Sequence, residues 1–275
     1  MRRHGSESRP SGGLGSSARM AHALHAHPLR NAVSITEPGA HPARKPPDMP
    51  DPKKKPARAP ASTLSISSRN YSSWSLRGWL LVRFAGLDVQ AQVIAHDDQS
   101  RQELLLLSPS ILVPCLTHEG VKVWDTLAIG EYLNETCPKA GLLPADRVAR
   151  AHCRAIAGEM HAGFSSLRAA LPMNLRAHFP KYKIWARAQG DIERITQIWR
   201  ECLETYGGPY LFGAKRCLAD AMYAPVCTRF RTYDVKLDKL SAGYCETILA
   251  MPEMQEWIAA ALQEPEEIDE LDMEF

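Results

Sequence analysis

Between Thr63 and Thr136 short alternating runs interleave with helical stretches, and beyond Gly141 every apolar pattern returns with the helical period. That change of period dictates a small mixed α/β unit followed by an all-helical one. The first unit opens with the β-like run Thr63-Leu64-Ser65-Ile66-Ser67, a polar loop Arg69-Asn70-Tyr71-Ser72-Ser73, and an apolar helical stretch from Trp74 to Ala85 ended by Gly86. A second alternating segment, Val89 to Ile94, precedes a helical stretch Arg101–Leu107 and a breaker at Pro109. Two further strands follow, Val113–Thr117 and Val121–Trp124, joined by a turn at Glu119-Gly120. Asp125 can then N-cap a helix running to about Thr136, ahead of Pro138. The order is βαβαββα, and it gives a first domain over 62–138.

In the second domain, 139–263, Ile192, Ile195, Trp199, Cys202, Leu203 and Tyr206 share one helical face, as do Met254, Trp257, Ile258, Ala261 and Leu262. Helices are expected near 146–171, 191–206, 218–233, 241–250 and 252–263. From Glu264 to the end the chain carries seven acidic residues and no Lys or Arg, which reads as a solvated acidic tail, 264–275.

A formal net charge of +2 hides a split, because residues 1–61 hold 11 Lys/Arg against 4 Asp/Glu while the remainder holds 22 against 27. The leader also contains 10 of the 20 prolines and no Phe, Trp or Tyr, so it cannot bury enough apolar surface to offset its chain entropy and reads as disordered. Three readings compete for it: a transit peptide, a nucleic-acid-binding tail around Lys53, Lys54 and Lys55, or an upstream start ahead of Met20 or Met49. Seven cysteines without a C-x-x-C pair argue against a disulfide framework or a zinc ribbon, so free thiols are expected. No apolar run approaches the roughly 20 residues needed to cross a bilayer, and a soluble, cytoplasmic protein is the default.

Four short motifs then bear on function: Ser-Ser-Trp-Ser at 72–75, Val113-Pro114 opening the third strand, Asp125-Thr126-Leu127-Ala128-Ile129 opening the third helix, and Leu218-Ala219-Asp220-Ala221. Together, in this order, they resemble the cytosolic glutathione S-transferases over about residues 62–263, and most of all the serine-type, zeta-like bacterial members, the maleylacetoacetate isomerases among them. The resemblance implies a thioredoxin-like α/β domain followed by an all-α domain, glutathione as co-substrate, no metal, and a homodimer acting on a small electrophile without nucleic acid or membrane partners.

Such chemistry needs the thiolate of glutathione, yet a free thiol titrates near about 8.5. A hydroxyl at a helix N-terminus, aided by the helix dipole, is the simplest device; lowering the thiol pKa by about two units requires about 2.7 kcal/mol. Matching to the family motif puts Ser72 on that role, with Ser73 the neighbour able to share it; Tyr71 matches less well. The plain alternative is that one serine only N-caps the helix. No cysteine occupies this loop, which counts against the cysteine-type members that form mixed disulfides with glutathione.

By the same resemblance, Val113 offers its backbone to the cysteinyl unit of glutathione, Pro114 is cis, and Asp125 and Thr126 receive the γ-glutamyl end. Ser108-Pro109-Ser110-Ile111-Leu112 departs from the family pattern, leaving the glycyl end unassigned. Cys217 stands where the family has Ser or Thr in a capping box, which weakens that box and leaves Asp220 a structural reading. A second-substrate pocket is expected from Met160, His161, Phe164 and Arg168, with Arg168 or Arg176 as a binder for an acidic electrophile and a solvated or salt-bridged helix face as the alternative. Conjugation, maleylacetoacetate-type cis–trans isomerisation and a non-catalytic binding module are the functions to separate.

Overall fold

The computed structural model describes residues 62–94 and 112–265; the leader 1–61, the expected helix over 101–107, Ile111 and residues 266–275 lie outside the described residues. Strand β1 (Thr63–Ile66) lies inside a four-stranded sheet of order β2-β1-β3-β4. Strand β2 (Gln90–Val93) pairs parallel to it with Leu64 beside Ala91, while β3 (Cys115–His118) pairs antiparallel with Leu64 beside Leu116. Strand β4 (Val121–Trp124) closes the far edge with Trp124 opposite Cys115. Glu119 and Gly120 both take positive φ, 50° and 82°, the twist that a two-residue hairpin requires.

A parallel pair needs a crossover, and α1 (Ser73–Phe84) supplies it between β1 and β2. Ten of its twelve residues are buried, because it lies between the sheet and the helical layer. Helix α2 (Thr126–Thr136) follows β4, and a 3-10 turn Pro138–Ala140 ends on Gly141 in the left-handed region.

The helical layer comprises α3 (Arg147–Ala162), α4 (Ser165–Ala170), α5 (Ala186–Tyr206), α6 (Leu218–Thr232), α7 (Lys239–Leu249) and α8 (Pro252–Ala261). The single helix expected over 146–171 is broken at Gly163-Phe164, where Phe164 turns to φ 61°. Helix α5 begins at Ala186 rather than near 191, because its first turn is polar and shows no apolar period.

Helix α6 is the spine, buried along almost its whole length. Its Asp220 accepts from the Cys217 amide at 2.8 Å, the Leu211 amide at 3.1 Å and the Tyr244 hydroxyl at 3.0 Å, so the acidic half of the capping box ties three segments together. Leu64, Ile66 and Leu116 of the sheet, Leu76, Leu80 and Leu81 of α1, and Trp199, Tyr223 and Trp257 of the helices form one apolar core. Burying each of its Leu or Ile side chains contributes about 1.5–3 kcal/mol. All seven cysteines are free thiols. No described helix is long and apolar enough to cross a membrane.

Candidate active site

The loop from β1 to α1 ends on two serines that face different surroundings. Ser72 is the N-cap of α1: its Oγ accepts from the Ser75 amide at 3.2 Å and donates to Ser75 Oγ at 3.0 Å. It is half-buried. Ser73 is fully buried, its Oγ accepting from Arg77 Nη1 at 3.1 Å. Tyr71 is buried as well.

Val113 and Pro114 are joined by a cis peptide immediately ahead of the first ladder residue, Cys115. Val113 is half-buried and Leu112 exposed. Pro114 lies against α1 at Gly78, where a Cβ would sit 2.6 Å from both the Cβ and Cγ of the proline ring. Only glycine permits that approach, and it brings the opening of β3 up to the first helix.

Asp125 holds φ 73°, a strained conformation for a residue with a side chain, and N-caps α2 through Oδ1, which accepts from the amides of Leu127 at 2.8 Å and Ala128 at 3.2 Å. Its Oδ2 lies 2.6 Å from His161 Nε2. The neighbouring Thr126 is buried, and its Oγ1 has no hydrogen-bond partner among the described residues. The His161 ring stands 5.1 Å from that of Trp74, which also receives the guanidinium groups of Arg77 at 4.6 Å and Arg168 at 4.7 Å. This Trp74–His161–Asp125 chain of contacts links the start of α1 to the start of α2.

The expected second-substrate residues lie in different surroundings from one another. Met160 and Phe164 are buried in the apolar core. Arg168 is buried too and donates to the carbonyls of Met160 at 2.5 Å and Gly163 at 3.3 Å, so its guanidinium closes the α3–α4 break. Of the four, His161 alone remains half-exposed, and it faces Asp125. Arg77, which the sequence reading passed over, donates to the Met222 carbonyl at 2.8 Å and so pins α1 to α6. Its position four residues after Ser73 on an otherwise apolar helix was the available signal.

A cavity of about 650 Å³ opens beside the β1–α1 loop, lined by Tyr71, Val93, Ile94, Arg176, Ala260 and Glu264 among others. Glu264, read from the sequence as the start of a solvated tail, is half-buried with its carboxylate on the loop: it accepts from Ser68 Oγ and the Arg69 amide, each at 2.7 Å. Nothing local in the sequence marks a contact spanning almost 200 residues.

The family profile of the glutathione S-transferase N-terminal domain matches residues 71–136. A probable maleylacetoacetate isomerase of Caenorhabditis elegans is 31% identical over 176 residues, covering 62% of this chain and 78% of its own length. The maleylacetoacetate isomerase of Rattus norvegicus is 28% identical over 171 residues, again 62% of this chain and 78% of its own. Among solved structures, a Burkholderia glutathione transferase homologue with bound glutathione superposes with a TM-score of 0.57 at 24% identity, over 74% of this chain and 100% of the other. At that identity the likeness is one of fold.

Proposed function

The chain belongs to the glutathione S-transferase family, and on that footing we propose that it is a glutathione-dependent transferase in which the Ser72 hydroxyl holds the thiolate. The observation that carries glutathione binding is the Thr126 hydroxyl, buried and unpartnered at the N-terminus of α2 beside the strained Asp125. A carboxylate from a peptide ligand satisfies that hydroxyl and gains from the helix dipole, which is the need of the γ-glutamyl end. Val113, next to cis Pro114, offers an extended backbone to the cysteinyl unit.

Ser72 suits the sulfur better than Ser73 does, since it is half-exposed while Ser73 is fully buried behind Arg77. Turning the Ser72 proton from Ser75 Oγ onto the thiolate exchanges a neutral hydrogen bond for a charge-assisted one. Bonds to charged groups contribute about 1.5–3 kcal/mol and the helix terminus about 0.3–1 kcal/mol, together enough for a shift of about two units. The thiolate then attacks the electrophilic carbon, forming a C–S bond as the leaving group departs or the double bond accepts the pair.

The second reading, cis–trans isomerisation, is favoured by the maleylacetoacetate isomerases among the relatives. There the thiolate adds to a conjugated double bond, the pair moves onto the neighbouring carbonyl, the new single bond rotates, and expulsion of the thiolate restores the double bond. Glutathione is not consumed. A homodimer is part of the proposal by family resemblance.

Two assays with glutathione separate the readings: conjugation of an activated aryl halide, and conversion of a cis 4-oxo-alkenoic diacid to its trans isomer with glutathione at catalytic amounts. The proposal expects glutathione-dependent turnover in at least one. Retention on immobilised glutathione with turnover in neither overturns it in favour of a non-catalytic binding module.

A further inference from the structure

The chain beyond α8 is tied to the loop that delivers Ser72. Three donors converge on the Glu264 carboxylate: Ser68 Oγ at 2.7 Å, the Arg69 amide at 2.7 Å and the Asn70 amide at 3.2 Å, with the Arg69 guanidinium at 3.7 Å. The other side of the same loop is held by Asn70, whose Oδ1 accepts from the amides of Leu175 at 2.8 Å and Arg176 at 3.0 Å while its Nδ2 donates to Asn174 Oδ1 at 3.1 Å. Arg176 in turn donates to the Glu264 carbonyl at 3.3 Å, and the Trp257 indole donates to the Arg69 carbonyl at 2.9 Å. The Ser72 amide donates to the Ser68 carbonyl at 3.0 Å, so whatever fixes Ser68 to Asn70 also sets where the N-cap stands.

We propose that Glu264 is a positioning residue: its carboxylate clasps Ser68, Arg69 and Asn70, sets the Ser72 hydroxyl for the sulfur, and with Ala260 walls the neighbouring cavity. The positioning role, unlike the clasp, rests on the reading that Ser72 holds the thiolate. A carboxylate is suited to the place because both of its oxygens accept, and bonds from amides to a charged acceptor are the stronger kind. A glutamine there keeps one acceptor but turns an N–H₂ group toward N–H donors, and an aspartate keeps the charge but falls one methylene short.

The test uses the full chain and E264Q, with E264D as a second variant should E264Q fold poorly. Amide hydrogen exchange at Arg69 and Asn70 is measured without ligand, and the thiol pKa of bound glutathione is read from thiolate absorbance. The clasp predicts exchange at the Arg69 amide at least tenfold faster in the variant, the Asn70 amide keeping Ser68 Oγ at 3.1 Å as a second acceptor, and a thiol pKa raised toward that of free glutathione. Unchanged exchange overturns the clasp whatever the activity. Faster exchange with an unchanged thiol pKa overturns the positioning role. If the wild-type chain itself does not lower the thiol pKa, the serine-type reading falls and the positioning of Ser72 falls with it, while the exchange arm still decides the clasp alone.

Discussion

Ser72 and Thr126 stand at the openings of their helices with hydroxyls in different states. Ser72 already satisfies an amide of its own helix, so its loss affects folding and chemistry together, whereas the Thr126 hydroxyl satisfies nothing within the described residues. Thr126→Val, similar in shape without the hydroxyl, should therefore leave stability unchanged or raise it by about 1 kcal/mol, because a buried unsatisfied group is removed. The same variant should bind glutathione about 10- to 150-fold more weakly, the loss of one hydrogen bond to a charged group. Thermal denaturation and calorimetric titration check the two halves, and equal affinity in the variant would remove Thr126 from the site. These capping residues were legible in the sequence because a cap is local: Asp125-Thr126 and Ser72-Ser73 stand next to the helices they open. Arg77 and Glu264 were not, since their partners lie 145 and about 195 residues away and each looked ordinary in its own segment.

Helix α1 joins the sheet to the helical layer, and its packing depends on Gly78. Alanine in a helix interior is favoured over glycine by about 1 kcal/mol, but here its methyl would meet the Pro114 ring at 2.6 Å, and overpacking costs about 1–3 kcal/mol. The clash falls on a ring fixed in the backbone, so it wins, and Gly78→Ala should be destabilised by up to about 2 kcal/mol net, unfolding at lower denaturant. It should also weaken glutathione binding by pushing Val113 away, and a variant as stable as wild type with unchanged affinity would show that α1 and β3 need not approach so closely. Periodicity recovered most elements to within a few residues, for example β4 and α6. It missed the break at Gly163-Phe164, because the apolar period runs through it and only the backbone turn at Phe164 shows it.

Across the whole molecule, stretches far apart in sequence are tied to the β1–α1 segment: Glu264 holds Ser68 to Asn70, Pro114 packs on Gly78, and His161 links Asp125 to Trp74. Of the seven protein thiols, Cys137 is half-buried and the other six are buried. Burial pushes the Cys202 thiol up to about 12 and those of Cys217 and Cys227 well upward, so little thiolate forms on them near pH 8. A disulfide-exchange reagent at pH 8 should therefore label one thiol promptly in the native chain and seven after unfolding; prompt labelling of several would mean the helical layer opens readily. In the proposed function the nucleophile is the thiolate of glutathione, stabilised by Ser72. The direct measurement is the pH titration of thiolate absorbance for glutathione bound to wild type, Ser72→Ala and Ser73→Ala. The account predicts a wild-type thiol pKa about two units below the free value of about 8.5, raised by Ser72→Ala and not by Ser73→Ala. A low pKa that survives Ser72→Ala would contradict it.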